Sequence, residues 1–275
     1  MPNLSKIERL GLLGLLTSLV AAHLNLTFRG DNTDLIGSSV LYWLAIAALL
    51  HRKRFDLKFG SNFHSCVLGT VLITLVLMKY WFMHENDIFL RLSPALSLIG
   101  VSLIASGIQG IKQYWQEIGL LFLFAIPPGL IFLLVNLSPL TAQFSGFTLW
   151  ALGFEVSVQG ALIHLPTGTT EVYSGCSGVA LMLQLLGIAL MNLFLVTPTA
   201  QQKISLPAIA LLIAFMMNGF RVALLAVLAA MGNQAAFKYW HVGNGSLVFS
   251  AIAVVAFSLV CQQFLPQEVN HEATT

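Results

Sequence analysis

Charge is what this sequence has least of. Only 9% of its 275 residues are Asp, Glu, Lys or Arg, while 57% are hydrophobic. An ordinary soluble protein carries roughly 25% charged residues. Here 13 basic and 11 acidic side chains are too few to cover a globule of this size. That excludes a cytosolic enzyme and a disordered chain. The net charge of +2 gives no basic face for phosphates, so no nucleic-acid partner is expected. Cysteine is also scarce. Cys66, Cys176 and Cys261 are odd in number and show no Cys-x-x-Cys or Cys/His metal spacing. This argues against a disulfide framework and against a zinc site. Gly-x-Ser-x-Gly and His-Glu-x-x-His, the signatures of serine and metal hydrolysis, are missing too.

Long apolar runs are what the sequence has in abundance. They cover about 10–28, 35–50, 64–84, 94–111, 118–136, 176–196, 206–231 and 244–264. Each is long enough, or nearly so, to cross roughly 30 Å of hydrocarbon. The reading is an all-α integral membrane protein of about eight transmembrane helices, with 1–275 as one multi-pass domain. The first run reads as a retained helix, because it spans the bilayer and lacks a clear cleavage site. Pro127-Pro128 should kink the fifth. The polar segment 266–275 reads as a disordered tail.

Lysine and arginine set the expected orientation. With the N-terminus inside, the cytoplasmic segments hold Lys6, Arg9, the His51-Arg52-Lys53-Arg54 cluster, Lys58, Lys112 and Lys203. The outer segments hold Arg29, Arg91 and Lys238, with Lys79 near an outer helix end. Both termini are therefore expected in the cytoplasm. The loop 137–175 then falls on the outer face. Residues 147–152 are apolar enough to lie in the interface, and 154–159 alternate with period two, as a strand does. Gln159-Gly160 reads as a turn, with further extended stretches at 161–165 and 169–173. A small β element thus leads into Cys176.

Against so little charge, Arg221 stands out. It lies deep in the seventh run, where an arginine costs about 2.5–3.5 kcal/mol on insertion scales. It is too far from the helix end to reach bulk water by snorkelling. Asn218, three residues earlier, projects from the same helix face. Cys176 opens the sixth run between Gly175 and Gly178, and a cysteine there can serve as a nucleophile. His241 precedes the eighth run and can carry a proton near neutral pH. The plainer readings are an inert interfacial cysteine, a belt histidine and an arginine bonded to helix carbonyls. Together the three give a nucleophile, a proton carrier and a cation on one expected side of the membrane. His164, Glu155 and Glu171 are nearby loop candidates, with solvated carboxylates the plainer reading of the two acids. His23, His64 and His84 sit at or near run ends far back in the chain. A different class of reading makes Arg221 an anion site in a small transporter or membrane scaffold. That reading calls for an inverted repeat, and the sequence shows none.

These residues resemble a known family. Cys176-Ser177-Gly178, Asn218-x-x-Arg221, and His241-x-x-x-Gly245 with Phe249 beyond follow the ordered Cys, Arg, His series of the exosortase/archaeosortase membrane transpeptidases. Within that family the chain looks most similar to the cyanobacterial exosortases. The resemblance covers about 90–265; the first three runs match only as generic apolar helices. Glu171 has no fixed counterpart in the family pattern. The resemblance implies catalysis by Cys176, Arg221 and His241, supported by Asn218, Gly178 and Gly245, with Glu171 and His164 as further candidates. No metal or organic cofactor is implied. The implied substrates are exported proteins ending in a Pro-Glu-Pro-like motif, one hydrophobic helix and a basic tail. Membrane lipids would surround the complex at the bacterial plasma membrane. The motif would meet Cys176 at the outer face, and a further acyl acceptor would resolve the product.

Overall fold

The computed structural model describes residues 5–30, 33–83 and 88–264. His84 and the tail expected to be disordered lie outside the described residues. The chain divides into two compact units, 1–127 and 128–275. Among the described residues, seven helices are long and apolar enough to cross a membrane, or eight if one bent pair counts as a span. The only strands described form one small sheet. The all-α membrane class and the count of about eight therefore hold.

Unit one contains α1 (Lys6–Arg29), α2 (Thr33–Arg52), α3 (Phe63–Trp81), α4 (Phe89–Gly110) and α5 (Trp115–Ala125). Ser5 and Glu8 close a capping box at the start of α1, satisfying backbone N–H groups that the helix leaves open. Asn62 does the same for α3 by accepting from the Ser65 N–H. The 37 residues from Phe89 to Ala125 look like one long span, but they double back. The Arg91 guanidinium, near the start of α4, lies 5.8 Å from the Phe124 ring centroid near the end of α5. A straight rod would hold those residues about 50 Å apart. The reversal begins at Gly107, with φ +67° inside α4, and continues through a 3₁₀ turn at Ile111–Tyr114.

Several polar groups buried in unit one find partners within it. His23 lies in the body of α1, fully buried, rather than at a run end. Its Nε2 is 3.0 Å from the Leu90 carbonyl, and its Nδ1 accepts from Trp43 Nε1 at 3.1 Å. Lys53 forms an ion pair with the buried Glu117 at 2.6 Å and also donates to the Gln113 carbonyl. The Arg9 guanidinium sits 5.1 Å from the Phe59 ring centroid, and the Lys58 N–H donates to Gln113 Oε1. Arg9, Lys53 and Lys58 thus gather at one end of the unit, as their shared assignment by charge requires.

Unit two contains α6 (Pro128–Leu134), α7 (Ser138–Ala151), β1 (Ser157–Gln159), β2 (Leu162–Leu165), β3 (Gly168–Glu171), α8 (Val179–Leu195), α9 (Ala200–Ala230), α10 (Gln234–His241) and α11 (Asn244–Phe264). α6 and α7 meet at 96°. The fifth apolar run is interrupted at the prolines, as expected: α5 ends at Ala125 and α6 starts at Pro128. Ile126, held before a proline, turns extended (φ −67°, ψ 111°). The strands pair antiparallel in the order β1-β2-β3, with Val158 opposite Ile163 and Ile163 opposite Thr170. The turn and the three extended stretches expected from the sequence are all present. α7 is longer than the apolar stretch 147–152. One sheet face packs Val158, Ile163, Leu165 and Val172 against Ala142 and Leu149 of α7 and Val222, Ala223 and Ala226 of α9. Cys176 borders the same cluster.

Candidate active site

Four segments of unit two converge on Cys176. β3 leads through Val172 and Tyr173 into a 3₁₀ turn at Ser174–Cys176, closed by the Cys176 N–H donating to the Tyr173 carbonyl at 2.8 Å. Gly178 then starts α8 in the left-handed region, φ +94°. A Cβ there would lie 2.9 Å from Asn218 Nδ2, so both the conformation and the close approach demand glycine. This turn presents the partly buried thiol at the mouth of α8.

α9 supplies the next two groups. Asn218 is buried and donates from Nδ2 to the Cys176 carbonyl at 2.8 Å. Its Oδ1 accepts from Arg221 Nη1 at 3.4 Å. Arg221 is nine residues short of the end of α9 at Ala230. α10 folds back to meet it. After the turn at Gly232, Asn233 caps α10 and Lys238 to His241 complete it. The last carbonyls of a helix have no partner within it and carry its negative dipole end. Arg221 fills that role, with Nε donating to the Trp240 carbonyl at 3.3 Å and Nη2 to the His241 carbonyl at 2.6 Å. The intramembrane cation therefore clamps the residue that carries the imidazole.

His241 ends α10 with its Nε2 3.1 Å from Cys176 Sγ. Its ring lies beside Phe237, centroids 5.2 Å apart. Burial first and the Arg221 charge second push its pKa below the usual histidine value. The ring is thus held neutral, able to accept a proton. Gly245 lets the chain turn tightly into α11, since a Cβ there would meet the Tyr239 and Trp240 rings at 2.8 Å. Trp240 in turn packs on Phe249, centroids 5.7 Å apart.

The structure thus brings together Cys176, Asn218, Gly178, Arg221, His241 and Gly245. It does not bring in His164 or Glu171. On β2, Ile163 faces the cluster bordered by Cys176, so His164 points to the opposite sheet face, where Nδ1 meets Thr169 Oγ1 at 2.9 Å. Its buried Nε2 has no hydrogen-bond partner among the described residues. Glu171, opposite Leu162, shares that outer face and is exposed. Among the described residues, no group of three or more His, Cys, Asp or Glu is placed to hold a metal ion.

Two contributors on α7 escaped the sequence reading. Thr141 Oγ1 donates to the Ser177 carbonyl at 2.9 Å. Ser145 Oγ lies 2.8 Å from the Thr141 carbonyl and 2.9 Å from the Gly219 carbonyl of α9. Both are fully buried and fix the Cys176 turn and α9 to α7. Their spacing of four residues in an otherwise apolar stretch was the available signal.

No curated protein and no solved structure matched the chain on comparison. The family model for transmembrane exosortases matches residues 31–258, most of the sequence, and the chain belongs to that family.

Proposed function

We propose that this chain is a membrane cysteine peptidase or transpeptidase that cleaves the C-terminal sorting signal of exported proteins. The observation that carries the reading is the 3.1 Å approach of Cys176 Sγ to His241 Nε2, with Arg221 bound to the carbonyl of the same histidine. Neutral His241 takes the thiol proton as Cys176 attacks the carbonyl beside the sorting motif. The S–C bond forms and negative charge gathers on the carbonyl oxygen. Arg221 keeps one N–H on each of Nη1 and Nη2 with no partner among the described residues. Those donors stabilise the oxyanion, an effect worth far more in a dry site than in water. His241 returns the proton to the leaving amine as the C–N bond breaks. The thioester on Cys176 then passes its acyl group to an acceptor, and water as acceptor gives hydrolysis.

The lysine and arginine bias places this chemistry on the outer face of the bacterial plasma membrane, with both termini in the cytoplasm. The substrate's hydrophobic helix lies in the bilayer, delivering its motif to the same face. The test is a co-expressed reporter ending in a Pro-Glu-Pro-like motif, a hydrophobic helix and a basic tail. Cys176→Ala should leave the reporter at full length while the protein still inserts. Continued processing by that variant would sink the reading.

A further inference from the structure

The two edges of the small sheet differ. β1 has three residues, and the two-residue turn at Gly160 makes Val158 its outward-directed position. The Val158 side chain packs against Gly146 of α7 on the covered sheet face, so this edge turns outward the backbone groups of a single residue. β3 is different. The Val172 N–H donates to the Ala161 carbonyl at 2.9 Å, which fixes the phase of its ladder with β2. Residues 168, 170 and 172 exchange bonds with β2, and Thr169 and Glu171 aim their N–H and C=O groups away from it. Those four groups have no hydrogen-bond partner among the described residues, and both residues are exposed. α9 covers the face of β3 rather than this edge, since Gly168 and Val172 are the residues turned toward it. Five residues beyond Glu171 the chain reaches Cys176. The open edge therefore runs directly into the turn that carries the thiol.

Unpaired N–H and C=O groups on an exposed edge are a template for another strand. We propose that β3 binds the substrate polypeptide by strand addition, an extended segment flanking the scissile bond pairing with Thr169 and Glu171 through backbone hydrogen bonds. This rests on Cys176 being the nucleophile. Main-chain pairing aligns the peptide independently of its sequence, and alternate side chains of the added strand supply selectivity. The Glu171 side chain has no necessary part in it; its backbone does.

The test uses the full chain in nanodiscs and a synthetic reporter with the three-part tail. Proline at 169 removes an outward N–H and no bond to β2. Thr169→Pro should raise KM at least tenfold, with the rate of Cys176 alkylation by iodoacetamide unchanged. His164→Ala removes the imidazole that meets the Thr169 hydroxyl but no outward N–H of β3, and should process the reporter like the parent. Single N-methylations along the reporter segment give a readout that requires no variant of the protein. Alternate positions should raise KM tenfold and intervening ones should not. Normal KM in Thr169→Pro, or N-methyl effects without alternation, would overturn strand addition. If Thr169→Pro alters Cys176 alkylation, the N-methyl series decides. Reporter cleavage by Cys176→Ala would instead remove the peptidase reading, so the two failures are distinguishable.

Discussion

Two histidines, one in each unit, show how differently this chain treats an imidazole. His23 has both ring nitrogens engaged, one by the Leu90 carbonyl and one by the Trp43 N–H. It has no capacity left and ties α1 to α2 and α4. His241 meets only the Cys176 thiol through Nε2, and its Nδ1 has no partner among the described residues. Its helix is held by Arg221 instead. A closed set of bonds builds a fold, and an incomplete set beside a thiol leaves capacity for a further partner. The cations divide likewise. Lys53 is paired with Glu117, whereas Arg221 meets no carboxylate among the described residues and is held by carbonyls and an amide.

The sharpest way to break that contrast is to remove each ring. His241→Ala should slow reporter processing by about 10²–10⁴-fold, the usual contribution of a proton carrier, with the melting temperature little changed. His23→Leu should do the reverse. It strands the Trp43 N–H, at a cost of about 1–3 kcal/mol for a buried unpaired donor, and leaves the Leu90 carbonyl with the Ser93 hydroxyl alone. The melting temperature should drop, and the folded fraction should process reporter at the parent rate. Equal loss of activity in both variants would erase the distinction.

The site was legible to the extent that charge was scarce. One arginine deep in an apolar run, a cysteine between glycines and a histidine before the last run were each visible from residue type and position. What Arg221 does was not visible. Its partners are two backbone carbonyls on α10, and a carbonyl has no sequence signature. α7 was read as loop and interface because Ser138, Thr141, Ser145 and Gly146 dilute its apolar character; the Thr141 and Ser145 hydroxyls face inward, to the Ser177 and Gly219 carbonyls. The doubling back of α4 onto α5 was legible as two runs, while the stop at Ala125 depended on backbone restriction before Pro127-Pro128. The strands were readable because period two survives in short segments with turn residues between them.

A smaller effect separates charge from geometry at Arg221. A lysine keeps the charge but cannot reach Trp240, His241 and Asn218 at once. Arg221→Lys should therefore let α10 shift and cost about 10²-fold in turnover, the penalty of roughly 1 Å misplacement. Arg221→Gln removes the charge. The parent should keep a neutral His241 to a pH below about 6.5, the ordinary histidine value. Without the cation the imidazolium is less disfavoured, so the acid limb of Cys176 alkylation should move upward. It should stop short of the ordinary value, because burial is the larger cause and persists. A limb that stays in place would mean that the guanidinium acts on His241 through position alone.

The smallest expected effect concerns the third histidine. His164 is near in sequence and was the first alternative proton carrier. It stands on the sheet face opposite the cluster that Cys176 borders, with Nδ1 directed to Thr169. No rotation of a side chain carries it through a paired strand to the other face, because successive residues alternate sides. His164→Ala should therefore leave both turnover and the acid limb of Cys176 alkylation where they are in the parent, within a factor of about two. If the limb moves, His164 shares the proton with His241, and the division between a closed histidine and an open one has to admit a third kind.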